Sequence, residues 1–134
     1  MQKENTSNNL QPIEIHTVKT PDIIKVSNNS ANKCFYNSYM VAKENEDVEI
    51  IEGIGLIVGK NDTAKAIAHA WNKKDDIYFD VTIEDPAVNS SDVKKLKYLK
   101  LRSYHPDKFK NQNKLEFDDI TNQMVKEMNE NLNQ

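Results

Sequence analysis

The sequence predicts an α+β fold in which a helix carrying the single cysteine packs on a small antiparallel sheet, followed by a C-terminal helical hairpin. The middle of the chain holds three strand-like runs rich in β-branched residues and separated by short turn signals. The segments before and after these runs repeat apolar residues every three or four positions, which is typical of helices. A chain of 134 residues buries about two thirds of its unfolded surface, so it needs neither disulfides nor a metal to fold.

The chain divides into a tail, a core and an appended helix pair. Residues 1–9 are polar, and we expect them to be disordered. We expect a core over residues 10–85 and a C-terminal helix pair over residues 86–134, packed on the same core. The core begins with PIEIHTVKTPDIIKV, whose short alternation and flanking prolines favour an edge strand or an extended arm.

The first helix is predicted to begin at the cysteine. The loop SNNSANK is rich in residues that cap helices, and CFYNSYMVAKEN follows it. Phe35, Tyr39 and Ala42 share one stripe of this helix, whereas Asn37 and Lys43 lie off the stripe. The stripe should therefore face the sheet.

The predicted sheet follows this helix. Its strands are VEIIEGIGLIVG, TAKAIAHAWN and IYFDVTI, and the turn KKDD joins the last two. Tight turns between consecutive strands favour antiparallel pairing.

Two helices are predicted after the sheet. In SDVKKLKYLKLRSY, the residues Val93, Leu96 and Leu99 form an apolar side and lysines form the opposite side. A last helix is predicted from about Lys114. Its apolar positions at helical spacing are Phe117, Ile120, Met124 and Met128.

Composition excludes several classes of function. The net charge is −3, which argues against nucleic acid as a partner, and no apolar run is long enough to span a membrane. The N-terminus lacks an apolar signal core, and one cysteine cannot form an internal disulfide, so we expect a cytoplasmic protein. The three histidines, His16, His69 and His105, have no metal-ligand spacing, so we expect no metal and no cofactor.

A candidate thiol site is built around Cys34. A thiol at a helix N-terminus lies at the positive end of the helix dipole, which favours the thiolate that a nucleophile requires. Closing the KKDD hairpin with Asn72 opposite Ile77 places His69 directly opposite Asp80. Asp80 would then orient the imidazole, and the second ring nitrogen would serve Cys34.

The same residues also admit a simpler interpretation. A histidine and an aspartate that face each other across a hairpin can be a surface pair of little energetic value. Cys34 can equally be a small apolar residue of the core. A protein of this kind would be a non-catalytic binding module.

The segments NKCFYNSYMVA, VEIIEGIGLIV, AHAW and YFDVT resemble, in order and spacing, the core of papain-fold, transglutaminase-like cysteine proteins. The resemblance covers residues 32–82. It implies a Cys34–His69–Asp80 triad, with Asn28 or Asn32 as the oxyanion-stabilising side chain. It also implies a hydrolase or acyltransferase of amide or thioester bonds, with a protein or peptide-like substrate.

A second candidate site is the string YHPDK. Together with its flanks, residues 90–131 resemble helices II and III of a J-domain, a co-chaperone module that stimulates a heat-shock ATPase chaperone through its HPD loop. The resemblance implies a chaperone-binding surface formed by Lys94, Lys97, Arg102, His105, Pro106 and Asp107. The alternative is a simple helix end, because a proline disfavours helical backbone at the residue before it.

Overall fold

The computed structural model describes residues 11–27, 33–59, 63–84, 93–109 and 115–132. The strands are β1 (Ile13–Ile15), β2 (Thr17–Val18), β3 (Val48–Gly59), β4 (Ala64–Lys74), β5 (Ile77–Phe79) and β6 (Val93–Tyr104). The helices are α1 (Cys34–Glu44), a 3₁₀ helix η1 (Pro106–Phe109) and α2 (Asp119–Leu132). The predicted α+β class is confirmed, and so is a first helix that begins at Cys34.

The six strands form one curled, mixed sheet in the order β1-β6-β3-β4-β5-β2. The antiparallel pairing predicted for the three central runs is confirmed for β3 with β4 and for β4 with β5. The sheet is larger than predicted and not wholly antiparallel, because β2 pairs in parallel with β5. Only His16 separates β1 from β2, although they lie at opposite ends of the strand order. The N-terminal arm therefore connects the two ends of the curled sheet.

The prediction of a helix over residues 91–104 is wrong, because residues Val93–Tyr104 form strand β6 between β1 and β3. The predicted C-terminal helical hairpin is therefore replaced by a strand, the short helix η1 and α2. The register shifts so that Arg102 faces Glu52 while Lys100 faces Gly53, which leaves Leu101 as the extra residue of a β-bulge. Leu96 and Leu99 lie on opposite faces of this strand, Leu96 against the cluster of Trp71 and Leu99 against that of Ile54, so their spacing of three imitates one side of a helix.

Close approach of two strands explains the glycine at position 53. A Cβ atom there would lie 2.1 Å from the carbonyl oxygen of Leu99 and 2.8 Å from the ring of Trp71. Neither distance is sterically possible without a shift of the backbone or of the indole. Gly53 thus permits β6 to pair beside the bulge.

Apolar clusters occupy both faces of the sheet. On one face, α1 packs through Phe35, Val41 and Ala42. Farther along that face, Met124, Val125 and Met128 of α2 pack on a cluster of Ile54, Ala66 and Leu101. On the enclosed face, side chains from five strands meet, namely Ile15, Ile51, Trp71, Tyr78, Leu96 and Tyr98. The His69 ring lies beside this enclosed cluster, whereas Cys34 packs on the cluster under α1.

Candidate functional site

Cys34 is the first residue of α1, and its thiol is free and partly exposed. The first backbone hydrogen bond at this end runs from the Asn37 N–H to the Lys33 carbonyl, at 2.8 Å. The N–H groups of Cys34, Phe35 and Tyr36 precede that bond, as the first donors of any α-helix do. Lys33 supplies no side-chain cap. Cys34 therefore belongs to the turn whose N–H groups the helix itself does not use.

His69 and Asp80 are in contact, although the predicted hairpin register is wrong. Asn72 pairs with Phe79 rather than with Ile77, and the turn is Asp75-Asp76, with Asp75 at a φ of 54°. The register is thus displaced by two residues. Because side chains alternate with a period of two, this displacement leaves Asp80 on the same face as His69, as a diagonal neighbour. The His69 Nε2 to Asp80 Oδ2 distance is 2.7 Å.

Three groups donate hydrogen bonds to Asp80. His69 Nε2 and the Tyr98 hydroxyl, at 2.8 Å, share Oδ2, and the Thr82 N–H donates to Oδ1 at 3.1 Å. Asp80 is 1% exposed, so these donors replace the water that a surface carboxylate would bind. Sequence reasoning missed Tyr98 because β6 was predicted to be a helix. Only the alternation around Leu96 and Tyr98 could have indicated it.

The buried pair favours the charged imidazole. Burial of His69 alone would lower its pKa, but the Asp80 carboxylate outweighs burial through its charge and its hydrogen bond. A hydrogen bond to Cys34 acts in the same direction, and together these contacts raise the pKa of His69 to about 10. These contacts therefore favour the imidazolium form of His69 at neutral pH.

The imidazole links the carboxylate to the thiol. Its Nε2 is taken by Asp80, and the side chain of Cys34 also hydrogen-bonds to His69. Nδ1 is the ring nitrogen that remains for the sulfur. The structure thus brings together the three residues of the predicted triad, since Asp80 and Cys34 both interact with the imidazole of His69.

Polar contacts hold α1 against this arrangement. Asn37 was expected to lie off the buried stripe, but it is fully buried and donates to the Thr82 hydroxyl at 2.8 Å. Asn72 of β4 donates to the Ser38 carbonyl at 2.9 Å, and the Ser38 hydroxyl donates to the Cys34 carbonyl at 2.7 Å. A hydrophobic-stripe argument cannot find such residues, because it assigns amides to the solvent face.

Aromatic rings enclose the imidazole. The ring centroids of Trp71 and Tyr98 each lie 5.8 Å from that of His69, and Trp71 is fully buried. These rings exclude water from one side of the His69–Asp80 pair, which strengthens its electrostatic interaction. The two proposed oxyanion residues, Asn28 and Asn32, lie outside the described residues.

The second candidate site, His105–Pro106–Asp107, is hereafter the HPD corner. Strand β6 ends at Tyr104 and η1 begins at Pro106. The side chains of His105 and Asp107 are each 73% exposed, and 3.6 Å separates His105 Nδ1 from Asp107 Oδ2. A groove of about 460 Å³ lies between this corner and the C-terminal half of α1.

The remaining residues of the predicted chaperone surface do not form a helix face. Lys94, Lys97 and Arg102 belong to strand β6, and the side chain of Lys94 lies outside the described part of the chain. Arg102 lies near two carboxylates, 3.7 Å from Glu52 and 3.4 Å from Asp118. The basic second helix on which the J-domain resemblance depends is therefore missing.

Comparison of the chain with protein-family models, curated proteins and solved structures finds no match. Among the described residues, no group of histidine, cysteine and acidic side chains is arranged to hold a metal ion. Within the same residues, no helix has the length and apolar character needed to cross a membrane.

Proposed function

We propose that the protein is a thiol hydrolase or acyltransferase of amide or thioester bonds, with Cys34 as nucleophile. One observation carries this proposal: a buried Asp80–His69 pair lies against a cysteine at the first turn of a helix. The order of these residues along the chain also agrees with the resemblance to papain-fold, transglutaminase-like proteins. The site and not the fold determines the activity, since one fold can serve many activities.

The resting site would hold a thiolate beside an imidazolium. A positive charge next to a thiol and a position at a helix N-terminus both favour the thiolate. Asp80 supports the imidazolium on the far side of the ring, at 2.7 Å from Nε2. Asp80 therefore both orients the ring and stabilises its charge.

Acylation begins when the Cys34 sulfur attacks the substrate's carbonyl carbon. A carbon–sulfur bond forms, and the carbonyl electrons move to the oxygen, where unused N–H groups at the start of α1 would stabilise the oxyanion. The tetrahedral intermediate collapses, and the bond to the leaving nitrogen or sulfur breaks. His69 gives its proton to the leaving group and becomes neutral.

Deacylation reverses these roles. Neutral His69 takes a proton from water, or from an acceptor nucleophile, which attacks the acyl-thioester carbon. Collapse then releases the carboxylic acid or transferred product and restores the thiolate and the imidazolium. A hydrolase and an acyltransferase differ only in this second nucleophile.

Alkylation of Cys34 by iodoacetamide at pH 6 tests the proposal. A free thiol is almost wholly protonated at this pH, whereas a thiolate paired with an imidazolium remains reactive. We expect Cys34 to react roughly tenfold faster than glutathione, because the lower nucleophilicity of a stabilised thiolate offsets part of its greater abundance. His69→Ala should abolish this excess.

His105→Ala is the matched control, because it removes an exposed imidazole of the HPD corner. Its alkylation rate should equal that of the unmodified chain. An activated ester, p-nitrophenyl acetate, should then leave one acetyl group on Cys34, detected by intact mass. Alkylation no faster than that of glutathione, or unaffected by His69→Ala, rules the proposal out.

A further inference from the structure

Tyr98 contacts the same carboxylate oxygen as the imidazole. Its hydroxyl donates to Asp80 Oδ2 at 2.8 Å, and His69 Nε2 lies 2.7 Å from that oxygen. The phenol is 5% exposed, and its ring packs edge-on against Trp71 at a centroid distance of 5.0 Å. Tyr98 is thus fixed in place by packing as well as by its hydrogen bond.

The hydroxyl of Tyr98 has a second partner in the N-terminal arm. Burial and then the charge of Asp80 raise the pKa of Tyr98, so the phenol remains protonated and continues to donate. Thr17 of β2 hydrogen-bonds to Tyr98 in the sense that favours the phenolate, so Thr17 donates to the phenol oxygen. Thr17 thus acts on the same hydroxyl that donates to Asp80.

We propose that Tyr98 is a positioning residue of the Cys34 site, whose hydroxyl shares the Asp80 Oδ2 oxygen with His69 and limits how tightly Asp80 holds the imidazolium. Two donors on one oxygen divide its charge between them, so each bond is weaker than it would be alone. Thr17 strengthens the Tyr98 donor, because hydrogen bonds in a chain polarise one another.

This inference rests on the proposed function for its catalytic meaning. During acylation His69 must release its proton to the leaving group, and a carboxylate that held the imidazolium too strongly would oppose that release. Tyr98 holds the Asp80 carboxylate in place through its hydrogen bond while taking up part of its charge. No contact of Tyr98 with the substrate is required.

Nuclear magnetic resonance titration of the His69 imidazole, from pH 6 to pH 11, tests this role. The experiment uses the full chain with Cys34→Ala, so it measures the Asp80–His69–Tyr98 arrangement without any thiol chemistry. Tyr98→Phe should move the His69 titration midpoint upward by roughly half a pH unit or more. Thr17→Val should move it in the same direction by less.

Tyr78→Phe is the matched control. Tyr78 packs against the same enclosed cluster, but its hydroxyl accepts a hydrogen bond from Lys100 at 3.2 Å. We expect no shift for this variant. A midpoint that stays constant or falls in Tyr98→Phe overturns the inference, because mere loss of support would loosen the Asp80–His69 contact. If Tyr98→Phe does not fold, the His69 midpoint in Thr17→Val tests the inference instead. A rise supports the inference, and a constant or lower midpoint overturns it.

The outcomes of the two proposals are separable. Fast alkylation of Cys34 with no rise of the midpoint in Tyr98→Phe retains the thiol site and removes Tyr98 from it. A rise of the midpoint with slow alkylation retains the shared oxygen and removes the enzymatic function.

Discussion

The chain carries two histidine–aspartate pairs, His69 with Asp80 and His105 with Asp107, in very different environments. In the first pair the two side chains are 8% and 1% exposed, and 2.7 Å separates their polar atoms. In the HPD corner both side chains are 73% exposed, and the distance is 3.6 Å. Water screens the exposed pair, whereas the buried pair interacts at a much lower effective dielectric constant. The same two residue types therefore form a strongly interacting pair at only one of these places.

The HPD corner has a structural role that its exposed residues conceal. Pro106 begins η1, and that short helix carries Phe109 into the cluster beneath α1. The Phe109 ring lies 5.3 Å from that of Phe35 and 5.2 Å from that of Tyr104. The corner thus turns the chain from β6 toward a buried aromatic contact.

Phe109→Ala should produce the largest change in stability within this comparison. Removing a buried aromatic ring costs about 3–5 kcal/mol of unfolding free energy, through lost burial and a residual cavity. Asp107→Asn, in the same short helix, should change that free energy by less than about 0.5 kcal/mol, because its side chain is mostly exposed. Urea denaturation measures both. Equal effects would show that Asp107 makes a contribution its exposure does not suggest.

Asp80→Asn should be the next largest change. The variant keeps the shape of the side chain but removes the charge that Asp80 places beside His69, so the buried imidazole should release its proton. Because one acceptor oxygen remains, we expect a loss of about 2–3 kcal/mol at pH 7 rather than the full cost of an orphaned buried charge. Calorimetric or urea unfolding, with Asp107→Asn as the exposed counterpart, measures this loss. A stability equal to that of Asp107→Asn would mean that Asp80 carries no buried ion pair.

The fold class and the first helix could be predicted because their signals are local. The β-branched run of β3 and the helical segment that begins at Cys34 each determine their own secondary structure. Strand β6 could not be predicted in this way. Its identity depends on pairing with β3 and β1, and its leucines contact apolar clusters on both faces of the sheet, so no simple alternation is visible in the sequence.

The contact between His69 and Asp80 could be predicted even though its register could not. The error was two residues, and a displacement by an even number keeps every side chain on its own face of the sheet. An error of one residue would have separated the pair. Tyr98 and Thr17 lay beyond prediction, because their contacts with the site arise only when the sheet curls and the N-terminal arm joins its two ends.

The smallest expected effect is the change in unfolding free energy over one pH unit. It reports most directly on the charge of His69. The pKa of His69 is raised from its ordinary value of 6.5 to about 10 in the folded protein. Its contribution to stability is therefore complete below pH 6.5 and is lost as the pH rises through 10. In the Cys34→Ala chain, which lacks the contribution of Cys34, unfolding free energy should fall by about 1.4 kcal/mol per pH unit above pH 6.5, up to a limit below 10, relative to Cys34→Ala with His69→Gln.

The chain that retains Cys34 should behave differently if the thiol has given its proton to His69. In the folded chain Cys34 and His69 then share one titrating proton. In the unfolded chain these two side chains also carry one, between the ordinary pKa values of histidine and cysteine, about 6.5 and 8.5. Stability relative to the double variant should thus stay level up to about pH 8.5 and fall only above it. A fall as steep as in Cys34→Ala from pH 7 onward would mean that the sulfur keeps its proton. His69 would then be a buried ion-pair partner with a structural role only. It would differ from His105 only in its burial.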